Sequence, residues 1–307
     1  MAPNTGSDST EPSRSTGKTL SRRSLLGAAA AIGTAAVSGC TGSFVRIEST
    51  ETTVERQFEA SAVERLVVSD ATDDVSVQRA DGEVVTVRVH KRARGETSLS
   101  DLQLQSQIDS GALQIATEEP DVVGIGGGSI ALEVHLPASV PVDQIRTTDG
   151  DVSVKGTAGD AVIESEDGDL TAKDVTGGVS ATTQDGAISI DSAGGVVSAR
   201  SRDGDLSVGG PESIRTVQTD DGDVVAEVPA VTDSATVQSS NGDIVARIGE
   251  SLDATIEITT DNGEVAVADA LGGLSMTSER RVEATLGEGT NDLTIHTGDG
   301  DVTVTRI

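Results

Sequence analysis

Acidic residues return at a fixed interval in this chain, and carboxylates held in register are the groups here best suited to chemistry. Asp149, Asp167, Asp185, Asp203 and Asp221 stand 18 residues apart, each followed by glycine, and Asn241, Asn262 and Asp299 continue the series at wider spacing. A second acid follows the glycine in most copies (Asp151, Asp169, Asp205, Asp223, Asp243), with Ala187 in its place in the third. If the copies stack, the acids form two columns whose neighbours, about 5 Å apart, repel by roughly 0.8 kcal/mol per pair in water. Side-chain bonds to turn amides, screening by molar salt, or a bound Ca²⁺ with about six to eight oxygen ligands could each offset that repulsion. Candidate cation ligands are Asp149, Asp151, Asp167, Asp169, Asp203, Asp205, Asp221 and Asp223. The copies match neither the Gly-Gly-x-Gly-x-Asp nonapeptide of calcium-binding rolls nor an EF-hand loop. Turn geometry on a salt-adapted surface is therefore the first expectation, Ca²⁺ the alternative, and no other cofactor is expected.

The elements that position these acids follow from the apolar residues around them. Three residues after the corner residue come Val152, Leu170, Ile188, Leu206, Val224, Ile244, Val265 and Val302, and two further on Val154, Ala172, Ile190, Val208, Ala226, Ala246, Val267 and Val304. Four residues before it lie Ile145, Ile163, Ala181, Ala199, Val217, Val237, Ile258 and Ile295. Each copy thus holds two short alternating strands. An Asp-Gly hairpin meander would use the same turns, but one greasy face would stay uncovered. A coil that stacks each row about 4.8 Å above the last closes the columns into a core. The expected fold is all-β, a single β-solenoid of 18-residue rungs with two strands per rung. Its glycines are expected at positive φ, with the preceding Asp or Asn bonding back to the backbone.

The segment "SIALEVHLPASVPVDQIRTTDGDVSV", an extended stretch, a Pro-bounded connector and then stacked DGD rungs, resembles the putative-adhesin domain family of unknown function found in bacterial and archaeal envelope proteins. The resemblance covers roughly residues 60–307. It implies a β-solenoid at the cell surface and supplies no catalytic residues.

Upstream, "SRRSLLG" sets Arg22 and Arg23 before a 13-residue apolar run from Leu25 to Val37, ending in "VSGC". That run spans roughly 20 Å as a helix, short of about 30 Å of hydrocarbon, and reads as an export signal. It resembles the signal of twin-arginine-exported lipoproteins of haloarchaeal type, which implies that Cys40 carries the lipid. The expected division is a signal peptide at 1–39, a lipid-anchored tether that runs into a first strand at 40–59, and the solenoid at 60–307. Cys40 is the only cysteine, so no disulfide can form within the chain.

Removal of residues 1–39 takes away two acids and four bases, leaving 49 acids, 18 bases and a formal charge of −31 on 268 residues. Molar salt shortens the screening length to about 3 Å, where such a surface is tolerated. Nucleic acid is excluded as a partner because phosphate binding needs clustered Lys and Arg. The one basic cluster, "HKRAR" at 90–94, reads as a solvated turn, with contact to anionic head groups or an envelope polymer as the alternative. Phe44 and Phe58 are the only aromatics, so stacking on bases or sugars is not an available mode. His90, His135 and His296 read as single exposed strand residues, and "GIGGGS" at 124–129 as a loop. The expected function is a non-catalytic, exported protein held by its lipid on the outer face of the cytoplasmic membrane. It would act in adhesion or as a scaffold for an envelope polymer, a surface protein or its own copies. The alternatives are a ligand-binding envelope-stress sensor and a carbohydrate-active β-helical enzyme.

Overall fold

The computed structural model describes residues 49–119, 126–268 and 274–307, which are predominantly strand. Their only helical element is the single 3-10 turn Ala60–Ala62, and no helix among them is long and apolar enough to cross a membrane. Strands alternate as the sequence does: in Ala161–Asp167, Ala161, Ile163 and Ser165 face inward and their neighbours outward. Such strands satisfy their backbone groups by pairing along their edges and bury their apolar side by packing face to face.

That pairing is parallel, which excludes the hairpin meander. Ile163 lies between Ile145 and Ala181, and Leu170 between Val152 and Ile188. The corner residues Asp149, Asp167, Asp185, Asp203 and Asp221 pair in turn with one another. Each row thus gives one strand to each of two ladders, whose inner faces meet in one continuous core from Leu66 to Val304. The fold is all-β and solenoid-like. Small Ala, Val and Ile columns fill the narrow space between the ladders, where an aromatic ring would not fit between successive rows.

Row order departs from chain order at both ends. The row that ends the sequence, Asp292–Asp299 with Val302–Arg306, sits between the Asn241 row and the Asn262 row. The expectation that Asn262 stacks directly on Asn241 is thereby corrected: Asp299 separates them. At the other end, Arg65–Ala71 and Val75–Ala80 form a further row beneath Asp149, with Val75 on Val152 and Val77 on Val154. Its corner reads Thr72-Asp73-Asp74, with Asp73 where the other rows have glycine, so the Asp-Gly register does not reveal it. Beyond it come Ala112–Glu118 and Gly126–Pro137.

Both ends are finished by antiparallel strands. Gln103–Asp109 closes one ladder, while Val84–Gly95 and then Ser49–Glu59 close the other. At the Asn262 row, Arg281–Leu286 pairs with the first strand, Ala254–Asn262, and Leu274–Ser278 pairs outside it. Such strands hide the open edges of a parallel stack. Two sequence expectations fail here. "HKRAR" is not a turn but part of the strand Val84–Gly95, and Gly126 to Ser129 of the glycine-rich stretch are strand as well. Pairing overrides the weak local signal in both: "HKRAR" has strands on its two sides, and residues 126–129 are held by residues 92–95.

Candidate functional site

The recurring corner is built from three hydrogen-bonded columns. First, the glycine N–H of each row donates to the corner carbonyl of the next, as Gly150 does to Asp167 and Gly186 to Asp203, at 2.8 and 2.9 Å. Second, the acid after the glycine reaches across one row: Asp151 Oδ1 accepts the N–H of Asp169 (2.9 Å) and Asp169 Oδ1 that of Ala187 (3.0 Å). Asp205 and Asp223 accept in the same way from Asp223 and Asp243, each at 2.8 Å. An aspartate is long enough to span one strand spacing and supplies a charged acceptor to an amide that no ladder bond serves. Third, a buried Ser or Thr donates to the glycine carbonyl of the preceding row, as Thr183 does to Gly168 (3.1 Å), Ser201 to Gly186 (2.9 Å) and Thr219 to Gly204 (3.0 Å). Sequence reasoning missed this column, although Thr147, Ser165, Thr183, Ser201, Thr219, Ser239, Thr260 and Thr297 all lie two residues before a corner residue.

Ala187 interrupts the second column and offers Asp205 no carboxylate. Ala187→Asp is expected to raise stability by about 1 kcal/mol, a typical net value for such a bond, read as a higher thermal midpoint in molar salt. A lowered midpoint would show that charge in the column outweighs the bond.

The first column is less well served. Asn241 donates from Nδ2 to Asp221 (2.6 Å) and Asn262 to Asp299 (2.8 Å), so amides relieve the charge where they occur. No amide separates Asp149, Asp167, Asp185 and Asp203. Lost hydration and the neighbouring Asp185 push Asp167 above the usual aspartate range, and hydrogen bonding with Asp185, then lost hydration, does the same to Asp203. Among the described residues no group of three or more His, Cys, Asp or Glu is placed to hold a metal ion. The eight candidate ligands are thus brought together as two columns, Asp149, Asp167, Asp203 and Asp221 in the first and Asp151, Asp169, Asp205 and Asp223 in the second.

A different cluster forms on the outer face of the antiparallel strands at residues 49–59, 84–95 and 126–137. His90 and His135, expected to stand singly, both approach Glu133, with Nε2 to carboxylate distances of 3.8 and 2.9 Å. The antiparallel register, Arg88 opposite Glu133, sets the two rings on either side of it, a long-range pairing that local sequence does not display. The His135 hydrogen bond holds the Glu133 carboxyl below its ordinary value. Arg88 binds Glu55 (2.9 Å) and Arg92 binds Glu51 (2.7 Å) on the same face. His296 stands apart, bonded to Thr259 at 3.0 Å.

The family model described as Toastrack DUF4097 matches residues 63–305, most of the chain. The chain belongs to the Toastrack DUF4097 family. This Toastrack chain is also similar to a putative adhesin from Bacteroides fragilis, at 13% identity over 82% of this chain and 97% of that one, with a TM-score of 0.47. A putative adhesin from Parabacteroides distasonis gives 11% identity over 82% and 97% with a TM-score of 0.35. A putative lipid binding protein from the same organism gives 10%, 83% and 97% with a TM-score of 0.33. No curated protein matches.

One carboxyl pair in the Toastrack chain stands out electrostatically. Burial and the adjacent Asp73 raise Glu119 to about 7, while the Thr72 hydroxyl donates to its Oε1 at 3.0 Å. Asp73 itself accepts the N–H of Ile130. A raised carboxyl favours the protonated fold, so this pair's stabilisation is present at pH values below the ordinary glutamate range and is lost as pH rises through about 7. Glu119→Gln is expected to unfold at a higher temperature than the parent at pH 8 and at the same temperature at pH 5. A parallel offset at both pH values would remove the titration from this site. Arg22, Arg23 and Cys40 lie outside the described residues.

Proposed function

We propose that the chain is a non-catalytic scaffold of the cell surface, exported by its twin-arginine signal and held by a lipid on Cys40. The observation that carries this reading is where the recurrent carboxylates spend their oxygens. Asp151, Asp169, Asp205 and Asp223 each hold an amide of the next row, so the most conspicuous acids of the sequence build the stack rather than converge on a reacting atom. What they build is a series of similar outward faces, suited to repeated weak contacts with an envelope polymer, a surface protein or another copy of the chain. Family membership supports the same reading, and the high negative charge fits an exterior of molar salt.

The reading is tested by capture from native membranes in molar salt, followed by deletion. Loss of surface attachment, aggregation or envelope integrity is expected on deletion, and unchanged cells would overturn it. Because backbone amides already occupy the second column, the scaffold needs no cofactor. A calcium chelator at constant ionic strength is expected to leave the thermal midpoint unchanged, and a drop of several degrees would reassign the corners as cation sites.

A further inference from the structure

One end of the outer face just described has an opening that the pairing within the fold does not fill. On the strand Val84–Gly95, Arg92 and Arg94 point to the same exposed side, opposite Ser129 and Gly127 of the neighbouring strand. Arg92, Arg94, Gly127, Gly128 and Ser129 line a trough of about 320 Å³. At Gly127 the trough is open, since a Cβ there would meet nothing within 4 Å. Arg92 is held by Glu51. Arg94, exposed, has no side-chain partner among the described residues, and neither has the Ser129 hydroxyl. A guanidinium fork beside a free hydroxyl and an empty glycine position suits a tetrahedral anion.

We propose that this trough takes the phosphate of an anionic lipid head group and so orients the domain on the membrane. The occupant follows from position and charge. Arg94 pairs with Ser49, the first residue of the strand that leads back to Cys40. Ser49 lies nine residue steps after Cys40, a span of at most about 32 Å. The trough is therefore at the end of the sheet from which the tether departs. The inference rests on the lipid-anchored reading above. Elsewhere the chain is heavily acidic, but at molar salt its repulsion from an anionic bilayer is screened beyond about 3 Å. Direct Arg–phosphate contact remains effective at that range.

The test uses the full chain carrying Cys40→Ser, sedimented in molar KCl with vesicles of phosphatidylglycerol or of phosphatidylcholine. The apolar run at 25–37 is common to both arms and to every variant, so the readout is the difference between the two lipids. The chain is expected to prefer phosphatidylglycerol. Arg94→Ala should reduce that preference about fivefold, the worth of one basic residue at such a surface. Gly127→Asp, which sets a carboxylate in open space, should abolish it. Equal partition between the lipids, or variants that bind like the parent, would overturn the trough. Mass spectrometry of the native membrane-extracted protein tests the anchor separately. An unlipidated Cys40 with Arg94-dependent binding would remove the anchor and leave the trough, and a lipidated Cys40 with Arg94-independent binding would do the reverse.

Discussion

Deletion of residues 292–307 is expected to unfold the C-terminal half of the stack rather than shorten it by one row. In a solenoid whose rows follow chain order, removal of the last row costs one terminal interface. Here the deleted row is internal. It carries Leu293, Ile295, Val302 and Val304, all at most 1% exposed, and their burial amounts to roughly 6–12 kcal/mol as an upper estimate. That is comparable to the entire stability of an ordinary domain, about 5–15 kcal/mol. The deletion also strips ladder partners from Val231–Asn241, Ile244–Ile248, Ala254–Asn262 and Val265–Val267 at once. The expected result is rapid proteolysis beyond about residue 230 and loss of a single cooperative thermal transition. A truncated chain with the parent midpoint and the parent digestion pattern would refute the interleaved order.

The second large effect is expected at a corner glycine. Gly204 has no left-handed φ, so its requirement is not conformational. A Cβ there would instead fall on the carbonyl oxygen of Gly186 one row away, and that carbonyl is fixed by the Ser201 hydroxyl at 2.9 Å. Gly204→Ala must push two rows apart, at a cost of about 3 kcal/mol or more, or a fall of roughly 6–12 °C in the midpoint for a domain of this size. Gly209→Ala, with nothing within 4 Å of the new methyl and no left-handed φ, is the control. Equal midpoints for the two variants would mean that the rows have slack at the corner.

The same glycines mark how far the sequence could be read. Their periodicity, with Val152, Leu170 and Ile188 at a constant offset, identified the parallel stack because a residue contacts its counterpart in the next row and spacing is then contact. The reason assigned to the glycines was only partly right. Gly186 and Gly222 do have positive φ, at 159° and 149°, but Gly168 and Gly204 do not, and close approach of the rows is what all four share. The Ser/Thr column was legible in the same register and was missed because hydroxyls do not enter an apolar pattern. Illegible were the row with Asp73 in place of glycine, the insertion of Asp299 between Asn241 and Asn262, and the approach of His90 to the Glu133 that His135 also binds. Each depends on which distant strands become neighbours, and no local period encodes that choice.

Interleaving also bears on when the molecule becomes whole. A row-by-row coil could assemble behind the ribosome as each copy emerges, but in this chain the gap between two earlier rows stays vacant until residues 292–307 have been synthesised. That row enters by insertion, so a polypeptide released before it by a stop or a nick would carry an unfilled slot flanked by bare amides and carbonyls. Residues 292–307 thereby tie the closure of the stack to a segment made after both of the rows that flank it.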